Sequence, residues 1–192
     1  MIKFTNLDRA FTELQEELHD AYNEIHSSGQ VSNGKYCKLV EEDLKRITQR
    51  KFAKMFPSGT SAILGALLAW NIKNKKVACT NYSYVASTNQ AALFNEVELF
   101  DVDKNGLMQL QEQINHHACM PVSLYGNTVD YDNFYKNVSP NTKVIVDCAQ
   151  SLGAKYKGRP DGAFGDVAVL SFSTNKPVPT AGTHGALVWD DE

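Results

Sequence analysis

Six short apolar runs, most of them rich in valine, recur from residue 75 onward: "KKVACT", "VELFDVD", "HACMPVSLYG", "KVIVDCAQ", "DVAVLSFS" and "GALVWDD". Each has the length of a strand, and several are separated by stretches compatible with helix. A strand with one wet face would alternate polar and apolar residues, whereas runs this continuous need cover on both faces. The alternation therefore predicts an α/β fold of three layers, αβα, around a mostly parallel sheet.

The first third of the chain reads as helix. Residues 7–27 place Leu7, Ala10, Phe11, Leu14, Leu18, Tyr22 and Ile25 at steps of three and four, one apolar stripe. Thr5 and Asn6 are candidate caps, and Gly29 is a stop signal. "YCKLVEEDLKRITQ" repeats the pattern with Leu39, Val40, Leu44 and Ile47 as its buried face. After "FPSGT", the segment "SAILGALLAW" is apolar nearly all round, which predicts a buried helix. No repeat, low-complexity tract or linker interrupts the chain, so residues 1–192 are expected to form one domain, with helices over 1–50 and an α/β core over 51–192.

Charge and cysteine usage narrow the partners. The 19 basic and 22 acidic residues nearly cancel, and no Lys/Arg cluster is interleaved with aromatics, which argues against nucleic acid. Cys37, Cys79, Cys119 and Cys148 make no C-x-x-C pair, so no metal is expected, and they read as small hydrophobes in a reducing compartment. "MIKFTNLDRAFTELQ" lacks the apolar block of a secretory signal, and no run of 18 apolar residues occurs. The expected location is the cytoplasm, without membrane contact.

In open α/β sheets ligands bind beyond the carboxyl ends of strands. Polar residues at those places are therefore the candidates: 82–87, 123–126, Asp147 with Gln150, and 171–176. Asp147 ends a four-residue apolar run, and a carboxylate there requires a partner. A capped turn or an arginine would serve, and so would a cationic ring nitrogen. In "FPSGTSAILGALLAW", Gly59 permits close backbone approach, while Ser58 and Thr60 bring hydroxyls to the free N–H groups of a helix start. The same residues also suit a plain helix cap. The Gly-Lys-Ser/Thr pattern of a P-loop is missing. Lys176 follows a strand in a Ser/Thr/Gly setting, where partial desolvation favours the neutral amine that forms a Schiff base with an aldehyde. An anion cradle, a carboxylate for a pyridinium and a lysine for an aldehyde are together the needs of pyridoxal 5′-phosphate.

The ordered set "SGTSAILGALLA", "YSYVAS", "VELFDVD", "PVSLYG" and "VIVDCAQSLGAKYKGRPDGAFGDVAVLSFSTNK" resembles the DegT/DnrJ/EryC1/StrS family of sugar aminotransferases, of the fold-type I pyridoxal-phosphate class. The resemblance implies the large domain of an aspartate aminotransferase-like fold. It makes Lys176 the Schiff-base lysine and Asp147 the partner of the pyridine nitrogen, and gives the phosphate to Gly59, Thr60 and Ser171. Tyr84 stands where an aromatic stacks on the ring, and Gln150 where a His or Gln lies beside its phenolic oxygen. The implied reaction moves an amino group from a donor such as glutamate to a keto group of a nucleotide-linked sugar, in a homodimer.

The chain departs from the family pattern in three respects. Thr183 and His184 replace the acidic and glycine positions of a Gly-Glu-Gly-Gly segment, Pro177 and Pro179 stiffen the preceding loop, and Ser123 replaces a common histidine. Family members are also roughly twice as long, so the match is to their N-terminal half, without the small C-terminal domain. Two expectations follow: an aminotransferase, alone or with a complementary C-terminal chain, or a catalytically silent module that binds cofactor or a partner chain.

Overall fold

The computed structural model describes residues 6–191. Thr5, one of the candidate caps, lies outside them. The chain opens with α1 (Leu7–Glu13) and α2 (Gln15–Ser28) rather than one helix. Leu14 leaves helical geometry at φ −105°, ψ 7°, and one turn earlier the Thr12 hydroxyl donates to the Asp8 carbonyl at 2.7 Å. That back-bond is a known cause of helix bending. Asn6 occupies the N-cap position but makes no side-chain cap bond. Gly29 ends α2 in the left-handed conformation at φ 66°.

The second helix face is corrected by the structure. In α3 (Lys35–Thr48) only Leu44 of the four expected residues is buried, while Leu39, Val40 and Ile47 face solvent. The face turned inward is Cys37, Glu41, Leu44 and Thr48, at helical spacing. Glu41 tolerates this because its carboxylate accepts from the Met55 N–H at 3.0 Å and pairs with Lys54 at 3.0 Å.

All six apolar runs form strands, joined by β1 (Phe52–Phe56) and a small hairpin. The chain proceeds through β1, α4 (Gly59–Ala69), β2 (Lys76–Thr80), α5 (Ala86–Ala92), β3 (Glu96–Phe100), β4 (Ala118–Met120), α6 (Tyr131–Phe134) and β5 (Lys143–Asp147). The hairpin β6 (Lys155–Tyr156) and β7 (Arg159–Pro160) turns at Lys157 and Gly158, both at positive φ as a two-residue hairpin requires. Then come β8 (Val167–Ser171) and β9 (Gly185–Trp189).

The seven-stranded sheet has the order β1-β9-β8-β5-β4-β2-β3. Its strands run parallel except β9, which is antiparallel to both neighbours. Side chains alternate between two cores. Ala78, Cys119, Val144, Val146, Ala168 and Leu170 point to one face, which α3 and α6 cover. Val77, Cys79, Met120, Ile145, Val167 and Val169 point to the other, under α4 and α5. The layers are therefore helix, sheet and helix, and the ends of β5 and β8 open beside the start of α4.

Candidate active site

The start of α4 is built by a reciprocal cap. Ser58 Oγ accepts from the Ser61 N–H and Ser61 Oγ accepts from the Ser58 N–H, both at 3.0 Å. This uses the third N–H of the helix and leaves those of Gly59 and Thr60 without an intrahelical partner. The macrodipole adds about half a positive charge at the same point. A Cβ on Gly59 would lie 3.1 Å from Cβ of Ser171, the last residue of β8, so glycine lets the helix start close against the strand end.

Asp147, the last residue of β5, is 5% exposed. Its backbone continues the sheet register through Asp147 N–H to Pro121 at 2.9 Å and Ser123 N–H to Asp147 at 3.0 Å. Its carboxylate accepts from the Ser87 hydroxyl at 2.8 Å and from the Ala149 N–H at 3.0 Å. Burial holds the carboxyl above the usual range, opposed by these two bonds and by the charge of Lys176. Lys176 itself is half-buried in the loop after β8, where its N–H donates to Ser173 at 2.9 Å.

One cleft of about 360 Å³ is lined by all of Gly59, Thr60, Tyr84, Asp147, Gln150, Ser171 and Lys176. They come from the start of α4, the segment ahead of α5, and the ends of β5 and β8. Gln150 accepts the Tyr125 N–H with Oε1 at 3.0 Å, which leaves its amide NH2 end as the donor available to a ligand. Tyr84 is 66% exposed at the rim. Ser123 is fully buried and is not part of the lining.

Three contributors take a part in the site that the sequence did not assign to them, although Ser87 falls in the candidate stretch 82–87 and Thr183 and His184 mark the departure from the Gly-rich pattern. Ser87 lies sixty residues from the carboxylate it binds, and no local pattern connects the two. Thr183 and His184 also line the cleft, and their only sequence signal is the break in the Gly-rich segment. The arrangement offers an anion cradle, a half-buried amine and a buried carboxylate within one small space, so it can hold a phosphate, an aldehyde and a cationic nitrogen together.

Relatives carry related architecture. GDP-perosamine synthase of Escherichia coli O157:H7 is 32% identical over 170 residues, 84% of this chain and 46% of that protein. The UDP-2-acetamido-2-deoxy-3-oxo-D-glucuronate aminotransferase of Pseudomonas aeruginosa is 27% identical over 201 residues, covering 100% of this chain and 56% of its own length. The chain spans about half the length of these curated relatives. In fold it matches a DegT DnrJ EryC1 StrS aminotransferase from Brucella abortus with a TM-score of 0.90 at 23% identity, over 100% of this chain and 56% of that one. The model of one family matches residues 12–192, nearly everything that the structure describes, and by that match the chain belongs to the DegT/DnrJ/EryC1/StrS aminotransferase family.

Proposed function

We propose that the chain is the cofactor-binding large domain of a pyridoxal-phosphate-dependent aminotransferase, which transfers an amino group from an amino acid such as glutamate to a keto group of a nucleotide-linked sugar. One observation carries the reading: a half-buried lysine, a buried carboxylate within reach of its charge, and a capped helix start with free N–H groups line a single cleft. The residues fit the cofactor on chemical grounds. Asp147 is a buried anion satisfied by only two donors, and a protonated ring nitrogen is the kind of partner that offsets its burial.

When bound, pyridoxal phosphate supplies an aldehyde carbon for an amine and a ring that takes up electrons released at the donor's α-carbon. Asp147 keeps the ring nitrogen protonated, and Ser87 keeps Asp147 in place. The Gly59 and Thr60 N–H groups, with Ser171, hold the phosphate. Tyr84 would supply an aromatic surface to the ring, and the NH2 of Gln150 would be a donor to the cofactor's oxygen. Lys176 would be the amine offered to the cofactor's aldehyde carbon, and as a free amine it would be the base placed to move the α-proton of the donor. Four unpaired cysteines, three of them buried, support a reducing, cytoplasmic setting.

Borohydride reduction in the presence of pyridoxal phosphate is expected to fix the vitamin on Lys176, located by peptide mass, and Lys176→Ala is expected to lose the visible absorption. Label on another lysine would refute the assignment. A second reading, cofactor binding without turnover, is favoured by the exposure of Tyr84, which leaves one side of the cleft open to water. Amino transfer from glutamate to a keto-sugar nucleotide separates the two. A homodimer or a complementary C-terminal chain is the partner that would close this side.

A further inference from the structure

His184 lines the same cleft as Lys176 and Ser58. A short relay holds its ring. Thr180 Oγ1 lies 2.6 Å from the carbonyl oxygen of Phe172 and 3.3 Å from His184 Nδ1. A carbonyl can only accept, so the hydroxyl proton is committed to Phe172 and the hydroxyl oxygen faces the ring. The hydroxyl oxygen is thus placed to accept from Nδ1–H, which leaves Nε2 as the ring nitrogen available to a ligand. The loop that bears the imidazole is tied at its base: the Phe172 N–H donates to the His184 carbonyl at 2.8 Å, and the Thr180 N–H to the Phe172 carbonyl at 3.0 Å.

The next residue fixes where the ring is rooted. Gly185 approaches α4 so closely that a Cβ on it would stand 2.3 Å from Gly59 N. His184 is thus one residue away from the N–H groups of the anion cradle, at a position where the chain departs from the glycine of the family pattern. The other titratable groups of the cleft are Lys176 from the same loop, Asp147 from the end of β5 and Tyr84 ahead of α5, while α4 brings only hydroxyls and N–H groups.

Building on the pyridoxal-phosphate reading, we propose that His184 is an additional ligand of the phosphate monoester, donating from Nε2 when the imidazole is charged, so that this chain grips the phosphate more tightly on the acid side of neutrality. The protonated ring adds a charge-assisted hydrogen bond to those from the helix, and the neutral ring offers the phosphate a lone pair instead.

The test titrates pyridoxal 5′-phosphate and inorganic phosphate into the wild-type protein and His184→Asn at about pH 6 and about pH 8. Asparagine keeps a short polar group near Thr180 and cannot be protonated. The ratio of the two dissociation constants cancels the ligand's own ionisation. The variant is expected to bind roughly three- to tenfold more weakly at the lower pH and within about twofold at the higher. Pyridoxal, which lacks the phosphate, is expected to bind both proteins equally. A ratio that does not change with pH overturns the inference and leaves the cofactor reading standing, whereas failure of both proteins to bind pyridoxal phosphate overturns the two together. An independent readout is the proton resonance of the His184 ring in the wild-type protein. By reciprocity its titration midpoint moves to higher pH on adding phosphate, while those of His19, His26, His116 and His117 do not. A midpoint that stays in place overturns the inference.

Discussion

A methyl group at position 185 tests whether the anion cradle and the sheet share one backbone junction. Gly185 starts β9, opposite Phe56 on one side and Ser171 on the other. In Gly185→Ala the new Cβ would lie 2.3 Å from Gly59 N, 2.4 Å from Ser58 C and 2.6 Å from Ser58 O. All three atoms are backbone, so no side chain can swing aside, and either the start of α4 or the start of β9 must move. Overpacking a close-packed site costs about 1–3 kcal/mol, and the shortness of three simultaneous contacts puts this case near the upper end. With a urea m-value of about 2 kcal/mol/M, the unfolding midpoint should fall by about 1.5 M. A displaced Gly59–Thr60 backbone also misdirects the cradle, so affinity for pyridoxal phosphate should drop at least about tenfold. Gly59→Ala is the internal comparison: its Cβ would meet the Ser171 side chain at 3.1 Å, and a loss of about 1 kcal/mol or less is expected. Urea unfolding followed by circular dichroism, with absorbance titration of the cofactor, measures both. A Gly185→Ala protein with wild-type midpoint and affinity, or a Gly59→Ala protein that is the more damaged, would refute the reasoning.

Burial raises the Asp147 carboxyl, so the group's contribution to stability is complete below its unfolded value, about 3.9, and is lost as pH rises through the higher folded one. Asp147→Asn should therefore stabilise the ligand-free protein near pH 7 by on the order of 1 kcal/mol while weakening pyridoxal phosphate binding about 10- to 100-fold, and thermal melts with and without ligand check both signs. Buried Arg50 donates to the carbonyls of Gly162, Phe164 and Gly165 at 3.0, 2.6 and 2.7 Å and pairs with Asp190 at 2.8 Å. Arg50→Met should cost about 3 kcal/mol in urea unfolding, and a loss under about 1 kcal/mol would deny the clamp its role. Burial pushes the Cys79 thiol up to about 12 and raises Cys119 and Cys148 too. At pH 8 only half-buried Cys37 should react quickly with a thiol reagent, with the other three released on unfolding.

The sheet was legible because burial on both faces leaves its mark in consecutive residues. β1 escaped notice for the opposite reason: it is an edge strand, and Lys54 at its centre points to solvent and to Glu41. The helices misled because three and four residue spacing describes more than one stripe. In α3, Glu41 sits on the inward face only because an edge-strand N–H needs an acceptor there, which hydropathy does not record. The candidate residues come together in one cleft because each lies just past a strand or at a helix start, where topology fixes position. Contacts between distant loops, such as Ser87 with Asp147, carry no such signature. Spacing can also promise too much. Asp101, Asp103, Asn105, Gly106 and Glu112 reproduce the pattern of a calcium loop. In the fold, Asp103 Oδ1 accepts the N–H groups of Asn105 and Leu107, and Asp101 Oδ1 accepts that of Val102. Among the described residues no group of three or more His, Cys, Asp or Glu side chains could hold a metal ion.

The placement of Ser87 bears on how one cleft can keep a buried carboxylate and a usable amine. A direct ion pair with Lys176 would also have satisfied the Asp147 carboxylate, but it would have tied the amine to that partner. Instead the two carboxylate oxygens are engaged by Ser87 and Ala149, and Lys176 acts on Asp147 only through its field. Two neutral donors and the charge of Lys176 oppose the burial of the carboxyl, and burial is the larger effect. A ligand that brought its own positive charge to Asp147 would relieve this burial, and part of its binding free energy would come from that relief. Under the proposed function the Ser87 hydroxyl lets acid and amine line one cleft without pairing, so it would serve the site as well as the packing.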